Sequence, residues 1–214
     1  MTPFRPLTYS GLNRTQMMDV YRHLLKTHGP AKPEALGWRG PDSQIERFRI
    51  LVRDVKPHSR LIDYGCGLGD LYGFLTRVNL PLDYKGIDIM PETVRAARYK
   101  YPRGRFAIAG SLRNFPSKSY DYIVSSGVFS LRLVDHFNLV LRTMADFARV
   151  ARQGFALDLP ALEYYQSAAE DPVFFSVDRD TLQDTLQKMN FDFDLETDRL
   201  QKSHFVFVRN GVKG

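Results

Sequence analysis

The chain has one cysteine, Cys66, in 214 residues, so no disulfide can form within it, and a reducing, cytoplasmic setting is the simplest expectation. No apolar run approaches the roughly 20 residues that cross a bilayer, and Met1–Ser10 is polar and proline-containing, unlike a secretory leader. The five histidines and the lone cysteine show no metal-ligand spacing, which argues against a structural metal. Acidic residues are the minority: 30 basic against 24 acidic side chains leave a net charge of +6. The basic residues are spread along the chain rather than gathered in a tail, so they support nucleic-acid binding only weakly. No internal repeat, low-complexity tract or second domain is evident.

What is present is an alternation. Short apolar runs at Arg60–Tyr64, Tyr84–Ile89, Arg105–Ala109, Tyr120–Ser125 and Gly154–Leu159 read as strands. Helical periods lie between them near Leu71–Val78, Glu92–Tyr99 and Phe137–Ala151. This pattern predicts crossover units around a parallel sheet with helices on both faces. Leu182, Leu186 and Met189 mark a last helix. Phe191–Glu196 and His204–Arg209 then follow with a connection so short that they must pair antiparallel. The expected fold is an α/β, doubly wound, mostly parallel seven-stranded sheet closed by a C-terminal hairpin. Residues 1–56 read as an N-terminal helical lid and 57–214 as the main domain. In the lid, Met17, Tyr21, Leu24 and His28 share one helical face before Gly29-Pro30, a Pro- and Gly-rich loop holds Trp38, and Ser43-x-x-Glu46 has the form of a capping box.

The turn after the first strand carries the chemistry. Asp63-Tyr64-Gly65-Cys66-Gly67-Leu68-Gly69-Asp70 sets three glycines at alternate positions where a helix begins, so that the backbone can bend tightly and approach a ligand. A dinucleotide fingerprint would need its third glycine where Asp70 stands, and that carboxylate would meet a pyrophosphate with like charge. No Lys-Ser/Thr follows, as a P-loop requires. The loop suits a nucleoside without phosphates. Cys66 reads as a small residue filling the turn, with a catalytic thiol as the alternative.

Asp63, Gly65, Gly67 and Gly69 match the acidic-x-Gly-x-Gly-x-Gly motif, and the chain resembles the class I S-adenosylmethionine-dependent methyltransferases. The resemblance implies the same sheet, S-adenosyl-L-methionine as cofactor, and Asp63 near the methionine end. Asp88 stands 23 positions after Gly65, at the end of the second strand. There it resembles the family's second motif and would accept the ribose hydroxyls, the alternative being a turn residue before the Pro91 helix. Ile89 would pack on the adenine or in the core. Where many members carry an acidic residue for the adenine amine, this chain has Gly110-Ser111, which leaves Ser111 and Leu112. Ser126 and Phe129 fall in the fourth motif, with Phe129 flanking the acceptor or anchoring the next helix. The Asn/Asp-Pro-Pro-aromatic turn of base amino-methylating enzymes is missing.

Weaker expectations concern four further sites. Gln44 and Arg47 lie on a helix able to cover the cofactor, and the forked donors of Arg47 suit its carboxylate, although a surface charge is the simpler reading. Asp158 ends the fifth strand on the acceptor side. His136 reads as an exposed first-turn residue or a general base, and Tyr164-Tyr165 as pocket-lining or packing. No residue stands out as the catalytic base. The sequence thus points to a methyltransferase acting on a small-molecule O, N or S nucleophile. An RNA- or protein-modifying enzyme (with Arg95, Arg98, Arg103 and Arg105) and a silent cofactor-binding protein are the alternatives.

Overall fold

The computed structural model describes residues 11–38, 40–165 and 174–210; the expectation for Met1–Ser10 lies outside them. In chain order the elements are α1 (Arg14–His28), α2 (Pro41–Leu51), β1 (Arg60–Tyr64), α3 (Asp70–Arg77), β2 (Asp83–Asp88), α4 (Pro91–Lys100) and β3 (Phe106–Ile108). There follow β4 (Tyr120–Ser125), α5 (His136–Val150), β5 (Ala151–Pro160), α6 (Arg179–Lys188), β6 (Asp192–Asp198) and β7 (Ser203–Arg209). One seven-stranded sheet runs in the order β3-β2-β1-β4-β5-β7-β6. All pairs from β3 to β5 are parallel, and β7 lies antiparallel between β5 and β6. The strand order reverses between β1 and β4, and ligands of such sheets lie beyond the carboxyl ends of the strands at that point.

The two faces carry two cores. On one, α5 presents Val140, Met144, Phe147 and Val150, a helical stripe with no exposure, to Ile62, Ile123 and Leu157; α6 adds Leu182 and Leu186. On the other, Phe48 and Leu51 of α2, Leu71, Phe74 and Leu75 of α3, and Val94 and Ala97 of α4 pack on Leu61, Val124 and Phe205. Buried on both faces, the central strands are almost wholly apolar, so the carboxylates of Asp63 and Asp158, 3% and 2% exposed, stand out. β5 meets β7 closely: a Cβ on Gly154 would lie 2.2 Å from the Val208 carbonyl oxygen. Because that atom is backbone in the ladder, Gly154→Ala is expected to cost about 1–3 kcal/mol, the usual range for overpacking, read from a urea melt.

Several local expectations differ from the structure. Ser43 does not cap α2, which starts at Pro41 with Gly40 before it; the hydroxyl of Ser43 instead donates to Gln201 Oε1 at 2.9 Å, across to the β6–β7 turn. The capping box belongs to α1, where Asn13 Oδ1 accepts from Gln16 N and Gln16 Oε1 from Asn13 N. The third strand pairs over three residues only, Phe106–Ile108, and the second ends at Asp88.

Candidate active site

The glycine turn is held to the end of β2 from two directions. Gly65 and Cys66 both donate their N–H to the Ile87 carbonyl, at 2.8 and 2.9 Å. Gly67 N–H donates to Asp88 Oδ2 at 2.9 Å, while Asp88 Oδ1 accepts from Met90 N–H at 2.8 Å. All three glycines have positive φ. Gly65 is also sterically required, since a Cβ there would sit 2.2 Å from a methyl of Val128 on the turn after β4. The two turns flank the point where strand order reverses, and a cavity opens between them.

Three carboxylates stand along its floor. Asp63 accepts a hydrogen bond from the Tyr84 hydroxyl at 2.6 Å. Burial pushes its pKa up to about 7, against that hydrogen bond and helped by the negative Asp88 and Asp70. Burial raises Asp88 as well, opposed by the N–H groups of Met90 and Gly67. Asp70 opens α3 and meets Lys100 Nζ at 2.5 Å. Cys66 is buried, and burial keeps its thiol protonated, as a turn filler should be and a nucleophile should not.

Beyond Asp88, Ile89, Met90, Ala109 and Gly110 form one apolar end of the cavity. Here the expectation of Ser111 and Leu112 is corrected: Ser111 points to solvent and Leu112, 1% exposed, drops into the core. β3 releases the chain at Ile108, so Ala109 and Gly110 take that wall. At the other end, Ser126, Gly127, Val128 and Phe129 line the turn after β4. The Ser126 hydroxyl is buried there with no partner among the described residues.

Arg47 and Asp158 are put to a different use from the one expected. Arg47 Nη1 is bound to Asp158 Oδ2 and donates to Ser203 Oγ at 2.7 Å, and Nη2 donates to the Gln201 carbonyl. The side chains are 11% and 1% exposed, and neither residue lines the cavity. The guanidinium is neither a surface charge nor turned to the cavity. His136 is not exposed: its Nδ1 accepts from Leu133 N–H and its Nε2 donates to the Phe129 carbonyl. Its ring lies 4.2 Å from that of Phe175, and burial lowers its pKa to about 4. With both nitrogens engaged, it is no general base. Tyr165 stacks on Phe174, and neither it nor Tyr164 reaches the cavity.

The lid supplies Gln44, which the sequence placed on the covering helix, and further residues that the sequence did not single out as a site. Arg14, Met17 and Tyr21, one face of α1, look into the cavity, as do Leu36, Trp38 and Gln44. The Tyr21 hydroxyl is pushed up to about 12 by burial and by the negative Asp88. α1 is fixed just before its start and at its middle: Leu12 exchanges backbone hydrogen bonds with Arg132 and Val134, and Arg22 pairs with Glu92 at the start of α4. The sequence carried the face but not what it faces. Among the described residues no group of three His, Cys, Asp or Glu is placed to hold a metal, and no helix is long and apolar enough to cross a membrane.

Comparison with known proteins agrees with this geometry. Residues 62–157 match the family model described as a methyltransferase domain. A Mycobacterium tuberculosis protein that carries a methyltransferase name is 40% identical over 87 residues, 39% of this chain and 49% of that protein. The ribosomal protein L11 methyltransferase of Cupriavidus necator is 38% identical over 77 residues, 36% of this chain and 25% of that enzyme. The chain therefore spans half or less of these curated relatives. Among solved structures, magnesium protoporphyrin IX methyltransferase of Synechocystis PCC 6803 with bound S-adenosylhomocysteine has the same fold. Its TM-score is 0.66 at 13% identity, over 90% of this chain and 99% of that one. Residues 62–157 thus match a methyltransferase domain by sequence, and over most of its length the chain has the fold of the S-adenosylmethionine-dependent methyltransferase class. S-adenosylmethionine is the cofactor of that class, and the same Synechocystis enzyme has been solved with it bound.

Proposed function

We propose that the protein transfers the methyl group of S-adenosylmethionine to an O, N or S nucleophile of a small molecule, with residues 1–56 acting as the lid. The observation that carries the reading is the roof: the cavity continues from Asp88 to the β4 turn as a largely apolar chamber partly covered by α1 and Trp38. A chamber so covered suits an acceptor that can be enclosed.

The residues present fit the cofactor. The carboxylate of Asp88 has lone pairs left after its two backbone hydrogen bonds, enough for two ribose hydroxyls. The partnerless Ser126 hydroxyl supplies one more polar contact, and Asp63 a negative charge for the amino group. The bound cofactor supplies a methyl group already activated on a positive sulfur. The protein's part is then to align, enclose and exclude water, and alignment at about 3 Å contributes several kcal/mol. Because His136 offers no free nitrogen, acceptors already ionised or carrying a free lone pair at neutral pH are favoured.

Two of the four arginines of the nucleic-acid alternative, both exposed, are engaged within the chain. Arg98 donates twice to the Phe106 carbonyl, and Arg105 pairs with Asp83. Incubation with methyl-labelled cofactor and fractionated cell extract tests the proposal. Label is expected in the low-molecular-mass fraction; label in macromolecules, lost on nuclease or protease treatment, would overturn the small-molecule assignment.

A further inference from the structure

The Arg47–Asp158 pair lies outside the cavity lining and is largely shielded from solvent, yet it joins two walls of the cavity. Asp158 Oδ1 accepts the N–H of Gly127 at 2.8 Å, holding the β4 turn at positive φ (71°). Asp158 Oδ2 binds Arg47, whose guanidinium carbon lies 5.5 Å from the centre of the Trp38 ring. Trp38 and Gly127 face each other so closely that a Cβ on Gly127 would lie 3.0 Å from two indole carbons. The pair is itself clamped from behind by Ser203 Oγ and the Gln201 carbonyl, and Ser43 of α2 donates to the Gln201 side chain. One buried pair thus orients the loop that carries Trp38 and the turn that carries Gly127 and Phe129.

We infer that Arg47 and Asp158 are positioning residues that set the gap between Trp38 and the Gly127–Phe129 turn, and that Trp38 is the wall on which a flat, apolar methyl acceptor lies. The inference rests on the reading of the cavity as the methyl-transfer site. A buried ion pair adds little net stability compared with an apolar pair of the same volume, but its hydrogen bonds are directional and an apolar pair would fix neither wall. The chemistry of the wall defines the guest. Trp38 and Phe129 bring aromatic rings to the cavity lining and Val128 and Leu36 aliphatic side chains, with Arg14 a cation lining the same cavity.

Trp38 is the single tryptophan of the chain, so its fluorescence reports this wall alone. In the double variant Arg47→Met/Asp158→Asn, which removes both charges at similar volume, melting is expected within a few degrees of the parent. Acrylamide quenching of Trp38 should rise about twofold or more as the wall loosens. Arg47→Lys, which keeps the charge but cannot reach three acceptors, should move quenching the same way if the double variant fails to fold. Leu186→Ala, a cavity in the opposite core, should lower the melting temperature and leave quenching unchanged. With S-adenosylhomocysteine saturating, 2-naphthol as a planar probe should quench Trp38. Its affinity should fall about tenfold in the double variant, while the affinity for S-adenosylhomocysteine changes less than about threefold. Unaltered quenching and unaltered naphthol binding in folded Arg47 and Asp158 variants would overturn the positioning role, and absence of naphthol binding to the parent protein would overturn the flat-acceptor assignment. Failure of the parent protein to bind S-adenosylhomocysteine would instead remove the methyl-transfer reading, an outcome the quenching of the free protein does not share.

Discussion

Asp88→Ala is expected to weaken binding of S-adenosylhomocysteine by about ten- to a hundredfold, measured by titration calorimetry. A hydrogen bond to a charged group contributes about 1.5–3 kcal/mol, which corresponds to that range. The upper end is the better expectation, because Asp88 does two things at once. It would accept the ribose hydroxyls, and it holds the glycine turn closed through Gly67 N–H and its own chain through Met90 N–H. Folding should survive the change. Burial already raises the pKa of Asp88, and Asp63 and Asp70 stand nearby with like charge, so removing this carboxylate relieves desolvation and repulsion. Asp88→Asn is not a milder version. Both carboxylate oxygens accept from backbone N–H groups, and an amide nitrogen in either place would set donor against donor. Unchanged affinity in a folded Asp88→Ala protein would take the residue out of the site and the ribose assignment with it.

How far the sequence disclosed this arrangement follows the range of the forces involved. The bounds of β1 and β4 were readable to the residue, because a short run rich in Leu, Ile, Val and Tyr between polar breakers is a local signal. The seven strands and the final antiparallel hairpin were readable too, since connection length decides the direction of pairing. The third wall was not. Whether Ser111 or Gly110 faces the cavity depends on where β3 stops pairing with β2, and it stops at Ile108.

His136 misled for a related reason. A histidine after Asp135 at a helix start looks solvent-exposed, but Asp135 adopts a left-handed conformation (φ 57°) that turns the first helical residue inward onto Phe175. Arg47 and Asp158 lie 111 positions apart, and no local pattern announces that they meet. The same holds for α1: its apolar face was evident, but only the pairing of Leu12 with Arg132 and Val134 and the Arg22–Glu92 contact lay it over the cleft.

Affinity for the cofactor's amino acid should depend steeply on pH, and Asp63 is the reason. Its pKa of about 7 in the folded protein is far above the ordinary aspartate value, with burial as the main cause. A raised carboxyl pKa means that the folded state holds the proton more tightly than the unfolded one. The corresponding stability is complete at acidic pH, below the unfolded value, and is lost as pH rises towards and through about 7. Binding runs the other way. The amino group of S-adenosylhomocysteine is cationic, prefers the ionised carboxylate and lowers its pKa in the complex. Between pH 5 and 7 affinity is therefore expected to rise by up to about tenfold per unit, and to level off above 7. 5′-Methylthioadenosine, which has the nucleoside without the amino acid, isolates the effect, because any titration of Asp88 acts on both ligands and cancels in their ratio. In Asp63→Asn the ratio should become flat with pH and stay at its low-pH value. The amide oxygen can still accept the Tyr84 hydroxyl, so the floor of the cavity keeps its hydrogen bond. Parallel pH profiles for the two ligands in the parent protein would show that Asp63 does not face the amino group, and would leave it as a buried acid that only tethers Tyr84.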